Sequence, residues 1–383
     1  MKIAFLTQQY PHAKTGNSGG IGTAIKNLSQ GLIAQGHQPI ILIYEQAVDA
    51  VFEDNGIVFY QIKNVKYKFL SGFFTRKKIE KLINKLFKEK LIDIVEAPDW
   101  TGISSFIQPN CPLIIRENGS DSYFCHLDGR KVKFKNRFHE KRALQKADGI
   151  IAVSQFTGDL TNKILNINNL FAVVPNSVDI HDFKIINEGK ISNSNQFDIL
   201  YFGNLIRKKG ALELPFIFNK VIERMPDAKL SLAGKDILDF ETGISTWQMM
   251  QPLFSEKAIL NVNYLGSVEY DEIQNIINQT NVCVFPSFAE ALPVSWLESM
   301  SMQKAIVASN IGWANEMIED GKSGYLVHPK DHNKFALRII ELLENPNLIV
   351  SFGRNARIKI EKDFSNQVVT AKSVAFYNQI IIK

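Results

Sequence analysis

Glu290 and Glu298 stand in the run Phe285-Pro286-Ser287-Phe288-Ala289-Glu290-Ala291-Leu292-Pro293-Val294-Ser295-Trp296-Leu297-Glu298. An apolar strand, Asn281 to Phe285, is predicted to end at Pro286. A short polar loop then leads to a helix beginning near Pro293. One carboxylate falls just before that helix and the other in its second turn. A helix N-terminus offers N–H groups without intrahelical partners and a partial positive charge, which suits a diphosphate. A carboxylate a turn or two further on can accept hydrogen bonds from vicinal hydroxyls of a ribose or a sugar. Together these residue types fit a site for a nucleoside-diphosphate sugar. The competing reading is a surface helix with an acidic first turn.

Several further runs accompany this one. Gly19-Gly20-Ile21-Gly22 opens a helix, and Pro175-Asn176-Ser177-Val178-Asp179 follows centrally. Then come Gly203-Asn204-Leu205-Ile206-Arg207-Lys208-Lys209-Gly210, Ala305 to Glu316, and Asp320 to Val327. In this order, with the Glu-x7-Glu pair, the chain resembles the family-4-like retaining glycosyltransferases of the GT-B fold over most of its length. The resemblance places Glu290 near the transferred sugar and Glu298 on the ribose hydroxyls. It gives Lys209 the departing diphosphate. Charge grows there as the glycosidic bond breaks, so a fixed cation favours the transition state over the ground state.

The chain departs from the family pattern at three points. Asn204 stands where relatives have arginine, with Arg207 as the nearest substitute. Ala291-Leu292-Pro293 replaces Gly-Phe-Gly; proline fits the first helical position and leaves the amides of Val294 and Ser295 for phosphate. Asn118, in Arg116-Glu117-Asn118-Gly119-Ser120, stands where many relatives have histidine, and it can hydrogen-bond but not carry a proton. His126 is the nearby histidine that competes for that role, and Asp99 is an acceptor-side candidate. Gly19, Gly20 and Gly22 would lie over the diphosphate from the opposing domain. A dinucleotide-binding glycine motif would follow its strand at once. Here a loop intervenes after Thr7, which disfavours a dehydrogenase. No Asp-x-Asp or His/Cys cluster points to a metal, so no cofactor and no metal ion is expected.

A chain of 383 residues, 45% hydrophobic and 22% charged, has the size and composition of two ordinary globular domains. Cys111, Cys125 and Cys283 are odd in number and lack metal spacing, which favours a reducing, cytoplasmic setting. No apolar run reaches membrane-spanning length, and the first residues read as a strand rather than a signal peptide. The net charge of +5 is uneven. Residues 1–180 hold 23 Lys or Arg against 16 Asp or Glu, the remainder 21 against 23. That excess calls for an anionic partner on the first half.

Short apolar runs alternate with amphipathic segments through both halves, as in doubly wound parallel sheets. Strands are predicted at Ile3–Leu6, Pro39–Ile43, Ile92–Glu96, Leu113–Ile115, Gly149–Val153 and Leu170–Val174, and a second series starts at Asp198. The expected fold class is α/β, GT-B, with two Rossmann-like domains facing across a cleft. The N-terminal, acceptor-side domain would span 1–180, a polar linker 181–196, and the nucleotide-sugar-binding domain 197–364. A final helix, 365–383, would cross back to the first domain.

A basic helix, about Phe74 to Leu91, sets Ile79, Leu82, Ile83, Leu86 and Phe87 on one face. Lys77, Lys78, Lys81, Lys85 and Lys88 fall mainly on the rest. It reads either as a core-packed helix with a solvated face or as an attachment to an anionic membrane. The expected function is transfer of a sugar, with retention, to a glycan or lipid-linked acceptor in bacterial surface polysaccharide assembly. The enzyme would be cytoplasmic, peripheral on the inner face of the plasma membrane, with no nucleic-acid partner. The alternatives are a GT-B sugar-nucleotide epimerase and a non-catalytic binder of anionic surfaces or nucleic acid.

Overall fold

The computed structural model describes residues 1–16, 19–185 and 197–382. They form two compact units. One is Met1–Ser177 together with Phe364–Lys383, the other Val178–Asp363. Of the expected linker, residues 186–196 lie outside the described residues. Phe183, at its start, is buried, and its carbonyl accepts from Ser301 Oγ (2.9 Å) and Arg357 Nη1 (3.2 Å).

The strands of the first unit are β1 (Lys2–Thr7), β2 (Gln38–Gln46), β3 (Ala50–Asp54), β4 (Ile57–Lys63), β5 (Ile94–Pro98), β6 (Leu113–Glu117), β7 (Gly149–Ala152) and β8 (Ala172–Val173). They lie in the order β3-β4-β2-β1-β5-β6-β7-β8, parallel throughout except at β3–β4. Burial on both faces explains the continuous apolar runs. Ala4, Leu6, Ile40 and Leu42 face one layer of core, and Ile3, Phe5, Ile41 and Ile43 the other. Period-two alternation sorts them.

The helices between include α1 (Gly20–Ala34), α2 (Ser71–Lys88), α3 (Asp121–Leu127) and α4 (Phe134–Lys146). The β3–β4 hairpin is absent from the sequence reading, although Asn55-Gly56, both at positive φ (47° and 76°), is a strong two-residue hairpin turn.

The C-terminal helix Asn366–Ile381 belongs to the first unit. A buried polar network ties it to the sheet. Arg116 donates to both carboxylate oxygens of Glu96 (2.7 and 3.0 Å) and to the Val174 carbonyl (3.1 Å). The Tyr377 hydroxyl donates to Glu96 Oε2 (2.6 Å). Bidentate geometry and a third partner are what a buried ion pair requires.

The described residues of the second unit form six parallel strands: β9 (Asp198–Phe202), β10 (Lys229–Ala233), β11 (Val262–Gly266), β12 (Val282–Phe285), β13 (Ala305–Ser309) and β14 (Tyr325–Val327). Their order is β11-β10-β9-β12-β13-β14. The chain winds outward from β9 and then returns on its other side at β12. Loops leaving β9 and β12 therefore part in opposite directions, and ligands of such sheets bind beyond the carboxyl ends at this point. Among the described residues no helix is long and apolar enough to cross a membrane.

Candidate functional site

The loop after β9 begins at Gly203, whose φ of +138° lets the backbone turn away. A single 3-10 turn, Arg207–Lys209, ends at Gly210. Gly210 sits at φ +71°, and a Cβ there would collide with the backbone of Pro286, the first residue after β12. The Phe288 and Ala289 N–H groups both donate to the Lys208 carbonyl (2.8 and 3.2 Å). Glycine and backbone bonds thus clamp the two switch-point loops together. Lys209 Nζ comes to 2.6 Å from Glu290 Oε1, with the side chains 23% and 11% exposed. Ser287 Oγ lies 3.4 Å from the same oxygen.

Arg207 faces another way. Its guanidinium donates to both oxygens of Asp239 (2.9 and 2.9 Å) and reaches Glu241 at 3.1 Å. Those hydrogen bonds, led by Arg207, hold the Asp239 carboxyl down at about 2, and the Thr242 N–H and hydroxyl add to them. Two carboxylates already balance this cation, so the structure gives it a loop-holding position. Asp239 lies far from Arg207 in sequence with no motif around it, which is why the sequence reading misses it.

The helix after Glu290 runs Val294–Ser301, with Pro293 as its N-cap rather than at the first helical position, as sequence had placed it. No side chain caps it. The Val294 and Ser295 N–H groups precede the first bond back along the chain, Trp296 N–H to the Pro293 carbonyl (3.3 Å). Glu298 is buried in the second turn. Trp296, fully buried against Phe285 with ring centroids 6.1 Å apart, anchors the helix to β12.

In the first unit the predicted residues divide. Gly19 is the N-cap of α1, its N–H donating to Gln9 Oε1 (2.9 Å); Gly20 begins the helix and Gly22 is buried within its first turn. Asp99, after β5, is fully buried and accepts the Asn118 N–H (3.1 Å) through Oδ1. Three buried oxygens here, Asp99 Oδ2, Asn118 Oδ1 and Glu117 Oε2, have no hydrogen-bond partner among the described residues. Burial, aided by Glu140, pushes the Asp99 carboxyl up to about 8. Burial and Asp99 raise Glu117 well above the usual carboxylate range. Glu140 accepts the N–H groups of Asp121 and Ser122 (3.0 and 3.1 Å), fixing the start of α3. His126 is exposed in the last turn of that helix, and its side chain makes no hydrogen bond among the described residues. The structure therefore gathers Asp99 with Asn118 and leaves His126 at the surface. Glu117 stands in the run Arg116–Ser120 that the sequence marks for Asn118, but nothing local shows that its own carboxyl is buried. Among the described residues no group of three His, Cys, Asp or Glu is placed to hold a metal ion.

Residues 182–359 match the family model described as glycosyl transferases group 1, and residues 18–182 match glycosyltransferase family 4. An uncharacterized glycosyltransferase of Methanocaldococcus jannaschii is 24% identical, covering 98% of each chain. The capsular polysaccharide biosynthesis glycosyltransferase CapM of Staphylococcus aureus is 25% identical over 63% of this chain and 64% of its own. The Anabaena protein HepE, solved in complex with UDP-glucose, superposes with a TM-score of 0.75 at 18% identity, covering 99% of this chain and 100% of that one. The two parallel-sheet units are those of the GT-B fold. This chain belongs to the family-4-like glycosyltransferases, and its class is that of a glycosyltransferase.

Proposed function

We propose that this protein is a retaining, metal-independent glycosyltransferase. It moves a hexosyl group from a nucleoside-diphosphate sugar to a glycan or lipid-linked acceptor. The observation that carries the reading is the Lys209–Glu290 pair at the switch point of the second sheet. An ammonium group has three donors. One is held by Glu290, which keeps the others aimed beside the strand ends where a diphosphate would lie. The N–H groups of Val294 and Ser295 add backbone donors on this unit; on the first unit, Gly19, Gly20 and Gly22 would admit close approach of a ligand to the backbone. Glu298 accepts the ribose hydroxyls and Glu290 a hydroxyl of the transferred sugar.

In the transfer step the bond from the anomeric carbon to the phosphate oxygen breaks, its electron pair leaving with the diphosphate. The acceptor oxygen bonds to the same face of that carbon, and its proton passes to the departing phosphate oxygen. Lys209 stabilises the growing charge. Asn118 holds a sugar hydroxyl, Asp99 positions Asn118 through its backbone, and Arg207 shapes the loop.

The likeness to HepE, a UDP-glucose complex, makes UDP-sugars the first donors to test. The likeness to CapM supports a role in bacterial surface polysaccharide assembly. A lipid-linked acceptor would bring the enzyme to the inner face of the plasma membrane, with the lysines of α2 contributing attraction. A thermal-shift screen against UDP-, GDP-, ADP- and dTDP-sugars tests the donor site. A ligand at a hundred times its Kd adds about 2.7 kcal/mol of apparent stability. No stabilisation by any of them would overturn the proposal.

A further inference from the structure

Three neighbouring elements of the first unit expose aromatic rings amid basic residues. Phe69 is 73% exposed, Leu70 68% and Tyr67 62%, just before α2; Phe134, the first residue of α4, is 84% exposed. The rings form a continuous run. Tyr67 meets Phe74 (centroids 5.0 Å apart), Phe74 meets Phe73 (5.7 Å), Phe73 meets Phe106 (6.2 Å) and Phe106 meets Phe138 (6.4 Å). Phe106 ends the 3-10 segment Trp100–Phe106, which joins α2 to α4 across the surface. The tip before α2 is a shaped loop. Ser71 Oγ bonds both the N–H and the carbonyl of Tyr67 (3.0 and 2.8 Å), the Val65 N–H donates to Thr75 Oγ1 (3.0 Å), and Leu70 is held at φ +61°. An exposed apolar run of this kind, rimmed by polar groups, marks an interaction surface.

The charge around it identifies the partner. Residues 66–81 hold six Lys or Arg against Glu80 alone, and residues 130–142 hold seven against Glu140 alone; of these, Arg76 is buried on the Gly102 and Ile103 carbonyls and Arg130 is paired with Asp128 (2.8 Å), and the others make up the basic rim. Glu140 is buried in capping α3. Basic and aromatic residues alternate in Lys131-Val132-Lys133-Phe134-Lys135-Asn136-Arg137-Phe138. Long basic stems can lie along apolar surface while their heads reach phosphate. A second copy of this face would set like charges together. Single-stranded nucleic acid needs ring faces on which bases stack, whereas three of these contacts are edge-to-face, at 71°, 77° and 68°. An anionic bilayer interface accepts rings in any orientation and attracts the basic rim.

We infer that the tip before α2 and the first turns of α4 form a docking surface for an anionic lipid bilayer. This deepens the membrane element of the proposed function and relocates the contact. On α2 itself, Lys77 is paired with Glu80 (2.9 Å) and Lys78 with Asp49 (2.6 Å). The lysine face is thus partly neutralised by the protein, and the aromatic tip supplies insertion.

Sedimentation with vesicles of phosphatidylcholine, alone or with phosphatidylglycerol, tests this. Wild type should bind only the anionic vesicles and be released by salt. A Phe69→Ser/Leu70→Ser/Phe134→Ser variant, altered only at exposed positions, should partition roughly a hundredfold more weakly. Its urea denaturation, with transitions like those of wild type, serves as the folding control. Unchanged vesicle binding by this variant overturns the inference. If instead a Lys81→Glu/Lys85→Glu/Lys88→Glu variant alone releases the protein, contact lies on the lysine face of α2. The inference then fails while the membrane reading stands. Loss of self-association or of RNA binding in the Ser variant, with no vesicle binding by wild type, overturns both.

Discussion

Lys209→Ala separates catalysis from folding. The ammonium lies 2.6 Å from Glu290, and the two side chains are 23% and 11% exposed. Exposed pairs contribute about 0.2–1 kcal/mol, and stripping one partner from a fully buried pair costs about 3–5 kcal/mol. Partial exposure puts the folding cost at about 1–2 kcal/mol. Against a total of about 5–15 kcal/mol, the second unit stays folded at 25 °C, with its Tm lowered by about 2–8 °C. Removing a preorganised charge from the leaving group costs more, about 2.7–4 kcal/mol, or 100- to 1,000-fold in turnover. Binding of the nucleoside diphosphate should weaken only about tenfold, the lower end for one charge-assisted hydrogen bond. Rapid-quench single turnover at saturating donor, titration calorimetry and a thermal melt read these three quantities separately. Lys209→Arg should recover part of the rate. A single-turnover rate within threefold of wild type would refute the leaving-group role. A rate loss matched by an equal loss of folded protein would refute the separation itself.

Glu298→Ala should raise the Kd for nucleoside diphosphate by about 10- to 100-fold, since hydrogen bonds to a charged acceptor contribute about 1.5–3 kcal/mol, while Glu290→Gln should mainly lower kcat. Calorimetry and initial rates check this split, and identical parameters in both variants would dissolve the site. Asn118→Ala should slow transfer, Asn118→His should retain it, and the exposed His126→Ala should behave as wild type; the reverse pattern in steady-state kinetics would move the catalytic centre to His126. Asp99 has a folded pKa raised by burial from 3.8 to about 8, so its protonated form stabilises the first unit. That contribution is full below about pH 4 and is lost as pH rises toward 8, at about 1.4 kcal/mol per pH unit at most. Urea denaturation of Asp99→Asn across that range should show stability relative to wild type rising with pH. A flat difference would mean that Asp99 is ionised in the folded protein.

Strand and helix order was written in local spacing. Apolar runs such as Ile40–Ile43 and Val282–Phe285 state strands buried on both faces, and the β12–loop–helix passage around Glu290 and Glu298 could be read residue by residue. The β3–β4 hairpin is equally legible in Asn55-Gly56, but β3 is largely exposed and ends in Glu53-Asp54, so it lacks the continuous apolar run that marks the buried strands. Partner choice is different, because it depends on which loop ends meet. Arg207 and Lys209 are two residues apart, and nothing local says that one takes Asp239 and the other Glu290. The packing of Gly210 on Pro286, together with the Lys208 carbonyl between the loops, decides it. Burial is likewise a property of the folded unit. Asp99 and Glu117 read as ordinary acids in sequence, and only their burial, with Glu140 beside Asp99 and Asp99 beside Glu117, raises their pKa values. The chain alone determined which residues carry charge and hydroxyl-binding capacity; the tertiary structure decided which of those charges are already balanced, because that depends on distances no spacing encodes.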